Sequence, residues 1–159
     1  MADLHLARAA QESFERLGDY ESLWFEDRWV RSGELHERAA RLAGGLRHLG
    51  VEPGDRVVVL MVNCPEVGIA YEAIWRLGAV VTPAIFLLPP AALAHIVRDS
   101  GATVVLATPE LAENAEDAAE NARVVTTDAF SRLEQADPAP IVLRSGSDPA
   151  ALLYTGGTT

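Results

Sequence analysis

The apolar run Val-Val-Val-Leu-Met-Val at residues 57–62 decides the fold class of this 159-residue chain. A strand with one face in water alternates apolar and polar residues, whereas a strand covered by helices on both faces of a parallel sheet is apolar throughout. Burial of each large side chain in such a strand contributes about 1.5–3 kcal/mol. We therefore predict that this strand lies at the centre of a parallel sheet and of the hydrophobic core.

The segment before this strand has the period of a helix. Five apolar residues recur there at spacings of four and three, which places them on one stripe of a helix. They are Leu35, Ala39, Leu42, Leu46 and Leu49. Ser32 is placed to cap the start of this helix and Gly50 to end it. Further upstream we predict a helix over residues 6–17 and a β-hairpin whose turn is formed by residues 26–28.

Helical and extended patterns alternate after the central strand. Helices are predicted over residues 66–77, 90–99 and 109–121, and strands over residues 79–82, 103–107 and 123–127. Such alternation is typical of a parallel sheet with right-handed crossovers. The sequence therefore predicts an α/β fold, a parallel sheet flanked by helices, with a short β-hairpin near the start.

Three regions are predicted along the chain. Residues 1–135 form an N-terminal α/β subdomain. Residues 136–149, rich in proline and small polar residues, form a linker or a crossover. Residues 150–159 begin a further strand and the loop that follows it.

The last six residues, Tyr154-Thr155-Gly156-Gly157-Thr158-Thr159, have the composition of a phosphate-binding loop. Glycines let the backbone approach an anion, successive N–H groups can point into one concavity, and threonine hydroxyls add donors without charge. A Walker loop needs a lysine after its second glycine, and all 13 basic residues of this chain are arginine. The loop is therefore not a Walker loop, and from these residues alone a simple turn is the alternative.

The loop resembles the signature of the adenylate-forming, or AMP-binding, enzymes, which commonly reads Tyr-Thr-Ser-Gly-Thr-Thr-Gly before a Pro-Lys-Gly element. Gly156 stands where serine is usual, a variant familiar among long-chain acyl-CoA ligases. Four further blocks resemble the family in order and spacing, so that the resemblance covers roughly residues 20–159. These blocks lie within residues 32–57, 63–66, 77–83 and 99–102.

The chain is identified as the N-terminal part of the large domain of an AMP-forming acyl-CoA synthetase. The resemblance implies that the whole enzyme uses ATP and Mg²⁺ to convert a carboxylic acid, a fatty acid by the Gly156 variant, into an acyl-AMP, and then passes the acyl group to coenzyme A. It implies phosphate contacts from Thr155, Gly156, Gly157, Thr158 and Thr159. The family's lysines, magnesium-linked acid and acyl pocket are expected downstream. We therefore expect no catalytic or metal-binding residue in this chain, and no activity from it alone.

Two other functions remain open. An adenylation domain that loads an amino or aryl acid onto a carrier protein would share these blocks, since they build the scaffold. A non-catalytic truncated module is the second alternative. A dinucleotide-binding Rossmann enzyme fits poorly, because no Gly-x-Gly-x-x-Gly follows a predicted strand.

The composition of the chain limits the classes of partner and the compartment that we expect for it. The formal net charge of -10 opposes binding to nucleic acid and to anionic lipid. Prolines at positions 83, 89 and 90 break the one long apolar stretch, so no transmembrane segment is predicted. The single cysteine, Cys64, fits a reducing compartment. We therefore expect a cytoplasmic protein that acts on a small-molecule carboxylic acid, with a homo-oligomer left open.

Overall fold

A computed structural model describes residues 5–155 and shows an α/β fold. The chain begins with helix α1 (Leu6–Leu17), the hairpin strands β1 (Glu21–Phe25) and β2 (Arg28–Arg31), and helix α2 (Ser32–His48). Strands and helices then alternate. These elements are β3 (Arg56–Leu60), α3 (Pro65–Arg76), β4 (Val80–Pro83), α4 (Pro90–Ser100), β5 (Val104–Ala107), α5 (Ala112–Ala118), β6 (Arg123–Thr126) and α6 (Phe130–Leu133), with 3₁₀ turns at Pro109–Leu111 and Thr127–Ala129.

The sheet has the strand order β4-β3-β5-β6, and all of its pairs are parallel. Strand β3 lies between β4 and β5, as the run at residues 57–62 predicts. Alternate side chains of this strand serve two different cores. Val57 and Val59 belong to the core on the side of α2, α3 and α6, whereas Val58 and Leu60 belong to the core on the side of α4 and α5.

The predicted stripe of helix α2 is confirmed. Ala39, Leu42 and Leu46 are completely buried, and Leu35 and Leu49 are partly buried against the same core. Gly50 follows the helix with a φ of 95°, in the left-handed region that favours glycine after a helix end. The predicted end of this helix is therefore supported by its backbone.

The start of helix α2 differs from the expected cap. Ser32 is the first helical residue, and its hydroxyl donates to the carbonyl oxygen of Gly18 and accepts from the N–H of Tyr20. The free N–H of Gly33 instead donates to Oδ1 of Asp19, at 2.9 Å. Hydrogen bonds from Arg31 and Gly33 hold the pKa of the Asp19 carboxyl below its usual value. A carboxylate from an earlier loop thus replaces the local serine.

Two element boundaries also differ. The hairpin turn consists of Glu26 and Asp27 alone. A two-residue turn of this kind needs positive φ at both positions, and the φ values of these residues are 46° and 60°. Arg28 is therefore the first residue of β2 and pairs with Phe25. The helix predicted over 109–121 is a 3₁₀ turn followed by the short helix α5, and Glu120 has a φ of 48° beyond the end of that helix.

Residues 136–149 cross from α6 back to the other edge of the sheet. The N–H of Ala139 donates to the carbonyl oxygen of Ala40, at 2.9 Å, and the carbonyl oxygen of Ala139 accepts from Nε of Arg76, at 2.6 Å. The N–H of Val142 donates to the carbonyl oxygen of Arg76, at 2.9 Å. The crossover is thus tied to α2 and α3. The three regions drawn from the sequence remain a prediction.

Two glycines in helix α2 allow the chain after α6 to pack closely. A Cβ at Gly45 would lie 2.7 Å from both Cβ and the carbonyl oxygen of Leu133, and a Cβ at Gly44 would overlap the carbonyl oxygen of Asp137. Backbone cannot yield as a flexible side chain can. These glycines are therefore required by packing.

We expect Gly45→Ala to destabilise the fold by about 1–3 kcal/mol, the usual range for overpacking. This loss opposes a gain of about 1 kcal/mol in helix propensity. The control is Gly68→Ala in helix α3, where nothing lies within 4 Å of the added methyl. That variant should be neutral or more stable. Urea unfolding measures both, and equal stability of the two variants would contradict the packing argument.

Candidate functional site

The segment that leads to the predicted phosphate loop joins the free side of strand β4. The carbonyl oxygen of Ala150 accepts from the N–H of Val81, at 3.1 Å, and the N–H of Leu152 donates to the carbonyl oxygen of Val81, at 2.9 Å. Ala151 and Val81 thereby form a parallel bridge. Regular pairing of this segment with the sheet is confined to this bridge.

Two side chains tie the same segment to the helices on either face of the sheet. The indole N–H of Trp75, on α3, donates to the carbonyl oxygen of Ala150, at 2.9 Å. The hydroxyl of Tyr154 donates to Oδ2 of Asp99, on α4, at 2.6 Å. Desolvation, together with the Asp99 carboxylate, raises the pKa of Tyr154 to about 12. Tyr154 is thus a neutral hydrogen-bond donor at physiological pH.

A cavity of about 330 Å³ lies where strands β3 and β4 end. Val59, Met61, Tyr71, Phe86, Leu153 and Tyr154 are among the residues that line it. The carboxyl ends of parallel strands meet at this edge, which is where open α/β sheets bind ligands. The segment before the loop therefore arrives at the expected binding edge.

The described part of the chain includes one of the five predicted phosphate contacts. Thr155 is exposed beyond the last bond to β4. Gly156, Gly157, Thr158 and Thr159 lie outside the described residues. The assignment of the phosphate loop remains a prediction, whereas the structure describes the segment that leads to it.

The turn after strand β3 has no catalytic arrangement. Cys64 is the residue before helix α3, and burial together with the charge of Glu66 raises the pKa of its thiol. A raised pKa disfavours the reactive thiolate. Asn63 is exposed and lines the cavity. Within residues 5–155, no group of three His, Cys, Asp or Glu residues is placed to hold a metal ion.

The sequence patterns missed the two anchors of the loop segment. Trp75 packs edge-on against Tyr71 with ring centroids 5.7 Å apart, and its indole N–H also donates to the carbonyl oxygen of Ala150. Asp99 stands at the start of a block that resembles the family, which is the signal that marks it. Its partner Tyr154 is 55 positions away in sequence, so local spacing gave no indication of the pair.

No helix in the part of the chain that the structure describes is long and apolar enough to cross a membrane.

This parallel sheet, with the chain up to Thr155 led to its carboxyl edge, defines an α/β domain of the kind found in adenylate-forming enzymes. A benzoate CoA ligase from Burkholderia xenovorans LB400 has a similar structure, with a TM-score of 0.87 and 28% sequence identity over 95% of this chain and 32% of that chain. The chain belongs to the AMP-binding enzyme family, which matches residues 10–159.

Two curated relatives are named for different activities. A feruloyl-CoA synthase from an Amycolatopsis species is 43% identical over 127 residues, which cover 79% of this chain and 26% of that protein. Triostin synthetase I from Streptomyces triostinicus is 38% identical over 138 residues, with the same shares of 79% and 26%. The chain spans about a quarter of the length of these relatives.

We expect Trp75→Phe to loosen the segment before the loop, because it removes the indole donor and keeps an aromatic ring. The loss should be about 0.5–1.5 kcal/mol, the net value of one hydrogen bond. Hydrogen exchange at the amide of Leu152 should accelerate. The control is Trp29→Phe in the exposed hairpin, and the prediction is wrong if both variants leave Leu152 equally protected.

Proposed function

We propose that the whole protein to which this chain belongs activates a carboxylic acid with ATP and transfers the acyl group to coenzyme A. The carboxylate attacks the α-phosphate, an acyl-AMP forms and pyrophosphate leaves, and the CoA thiol then takes the acyl group as AMP leaves. The observation that carries this proposal is the family match through residue 159, combined with the delivery of Thr155 to the carboxyl edge of the sheet.

The physical problem of this reaction is charge. An anionic carboxylate must approach a polyanionic nucleotide in line, so catalysis depends on positioning and on neutralising the phosphates. Thr155, Gly156, Gly157, Thr158 and Thr159 supply backbone N–H groups and hydroxyls to the β- and γ-phosphates in this proposal. Mg²⁺ would neutralise phosphate charge, and no ligand set for it occurs among residues 5–155. In this proposal the groups that neutralise the phosphates lie in other parts of the protein, as the family resemblance implies.

Two observations favour different acids. Gly156 supports a fatty acid, since glycine at this position resembles long-chain acyl-CoA ligases. The similarity to a feruloyl-CoA synthase and to a benzoate CoA ligase supports an aromatic acid. We propose the fatty acid as the substrate to test first, with the aromatic acid as the second candidate.

A carrier protein is the alternative to coenzyme A as acceptor of the acyl group. Similarity to triostin synthetase I favours an adenylation domain, which in our proposal would load an amino or aryl acid onto a carrier protein. Thioester formation on free CoA separates the two functions. The single cysteine supports a cytoplasmic location.

The first test is a panel of short, medium, long and aromatic acids given to the whole protein with ATP, Mg²⁺ and CoA. We expect acid-dependent release of pyrophosphate and a CoA thioester. Thioester with aromatic acids alone would exclude the fatty acid. Pyrophosphate exchange with an amino acid and no CoA thioester would favour the adenylation domain, and no acid-dependent pyrophosphate at all would contradict acid activation.

A second test concerns the loop. Thr158→Val keeps the shape of the side chain and removes its hydroxyl, and a hydrogen bond to a charged oxygen contributes about 1.5–3 kcal/mol. We expect kcat/KM for ATP to fall roughly 10- to 100-fold. The control is Thr103→Val, at an exposed position before β5, which should keep wild-type kinetics. Equal kinetics of the two variants would remove Thr158 from the phosphate site.

A further inference from the structure

The segment before the loop has three anchors at alternate residues. The carbonyl oxygen of Ala150 and the N–H of Leu152 bind Val81 of strand β4. Among the described residues, neither the N–H nor the carbonyl oxygen of residues 153–155 has a backbone partner. The hydroxyl of Tyr154, bound to Asp99, is thus the last anchor before Thr155.

The position of Asp99 in its helix supports a role beyond helix stability. Asp99 is the penultimate residue of α4. A carboxylate there faces the negative end of the helix dipole, where acidic residues are unfavourable. Within residues 5–155, the donor that reaches this carboxylate is the Tyr154 hydroxyl. The bond to the loop segment therefore accounts for an acidic residue at this position of the helix.

The surroundings of Tyr154 hold its ring in one place. The ring packs against the core between the sheet and helices α4 and α5. The ring of His95, one helical turn before Asp99, meets it edge-on with centroids 6.3 Å apart. The hydroxyl is consequently directed at Asp99 by contacts on two sides, and the backbone at Tyr154 is fixed by its own side chain.

We propose that Asp99 and Tyr154 are positioning residues for the phosphate loop. Their hydrogen bond links Tyr154, which directly precedes the predicted loop residues, to helix α4. The proposal rests on the proposed function, because it assigns the pair to ATP binding. Neither residue touches the reacting atoms.

The expected change in the kinetics follows from the fraction of protein molecules in the binding-competent state. When a binding-competent state is only partly populated, the apparent affinity falls by that fraction. Loss of the anchor should therefore raise KM for ATP and leave kcat nearly unchanged, which is the signature of a uniform binding loss. A general loss of folding would instead lower the active fraction and affect every substrate.

The experiment uses the whole protein with Tyr154→Phe, Asp99→Ala, their double variant and Asp99→Asn. A hydrogen bond to a carboxylate contributes about 1.5–3 kcal/mol, so each of the first two should raise KM for ATP roughly 10- to 100-fold. The double variant should be no worse than either single one. Asp99→Asn keeps an oxygen acceptor without its charge and should recover part of the loss. Tyr20→Phe, at an exposed tyrosine, is the control.

Hydrogen–deuterium exchange of the same variants gives a second measurement that needs no activity. Peptides covering residues 150–159 should exchange faster in Tyr154→Phe and Asp99→Ala, with peptides from β3 unchanged. Unchanged exchange at 150–159, or additive losses in the double variant, would overturn the positioning role. If the wild-type protein activates no acid, the proposed function fails, and the exchange measurement still decides whether the pair orders the segment.

Discussion

Strand β3 is buried on both faces, and this burial determines which elements must surround it. Val57 and Val58 point to opposite sides and are both completely inaccessible to solvent. Such a strand needs a helical layer on each side and a neighbouring strand at each edge. Helices α2 and α3 supply one layer, α4 and α5 the other, and β4 and β5 flank the strand. The carboxyl ends of β3 and β4 then meet beside the loop segment.

The position of that segment depends on residues far from the loop. Gly44 and Gly45 allow the chain after α6 to lie against helix α2, and Arg76 holds the crossover at Ala139. Arg38 contacts Glu134 through both carboxylate oxygens at 3.1–3.2 Å and Glu66 at 3.1 Å, which ties α6 to α2 and α3. The loop segment therefore reaches β4 only after the chain has crossed a fixed path, and mutations along that path act on the site without touching it.

Patterns that repeat along the chain predicted the fold. The features that these patterns missed are determined by contacts between residues that are distant in sequence. The apolar run at 57–62 and the stripe of α2 identified the central strand and its helix, because periodicity reports burial directly. Ser32 failed as a cap because its hydroxyl bonds to Gly18 and Tyr20, while Asp19, in an earlier loop, accepts from the N–H of Gly33. The Tyr154–Asp99 bond spans 55 positions, and no local pattern encodes it. Resemblance to a family predicts a phosphate loop where composition alone left a simple turn open.

The charge of the site indicates that this chain can position phosphate groups in the proposed reaction, whereas the attraction that binds them has to come from the rest of the protein. The cavity at the carboxyl edge is lined by apolar and uncharged polar residues. Arg98, on the nearby helix α4, is paired with Glu120, and the whole chain carries a formal charge of -10. In the proposed reaction, a polyanion at this edge would meet neutral donors, and the net charge of the chain would oppose its approach. Neutral N–H and hydroxyl groups can fix the geometry of phosphate oxygens, but they do not offset repulsion from the protein's net charge. In the proposed reaction, the loop and its Asp99–Tyr154 anchor set the position of the phosphates, and cationic groups elsewhere in the protein must supply the attraction that binds them.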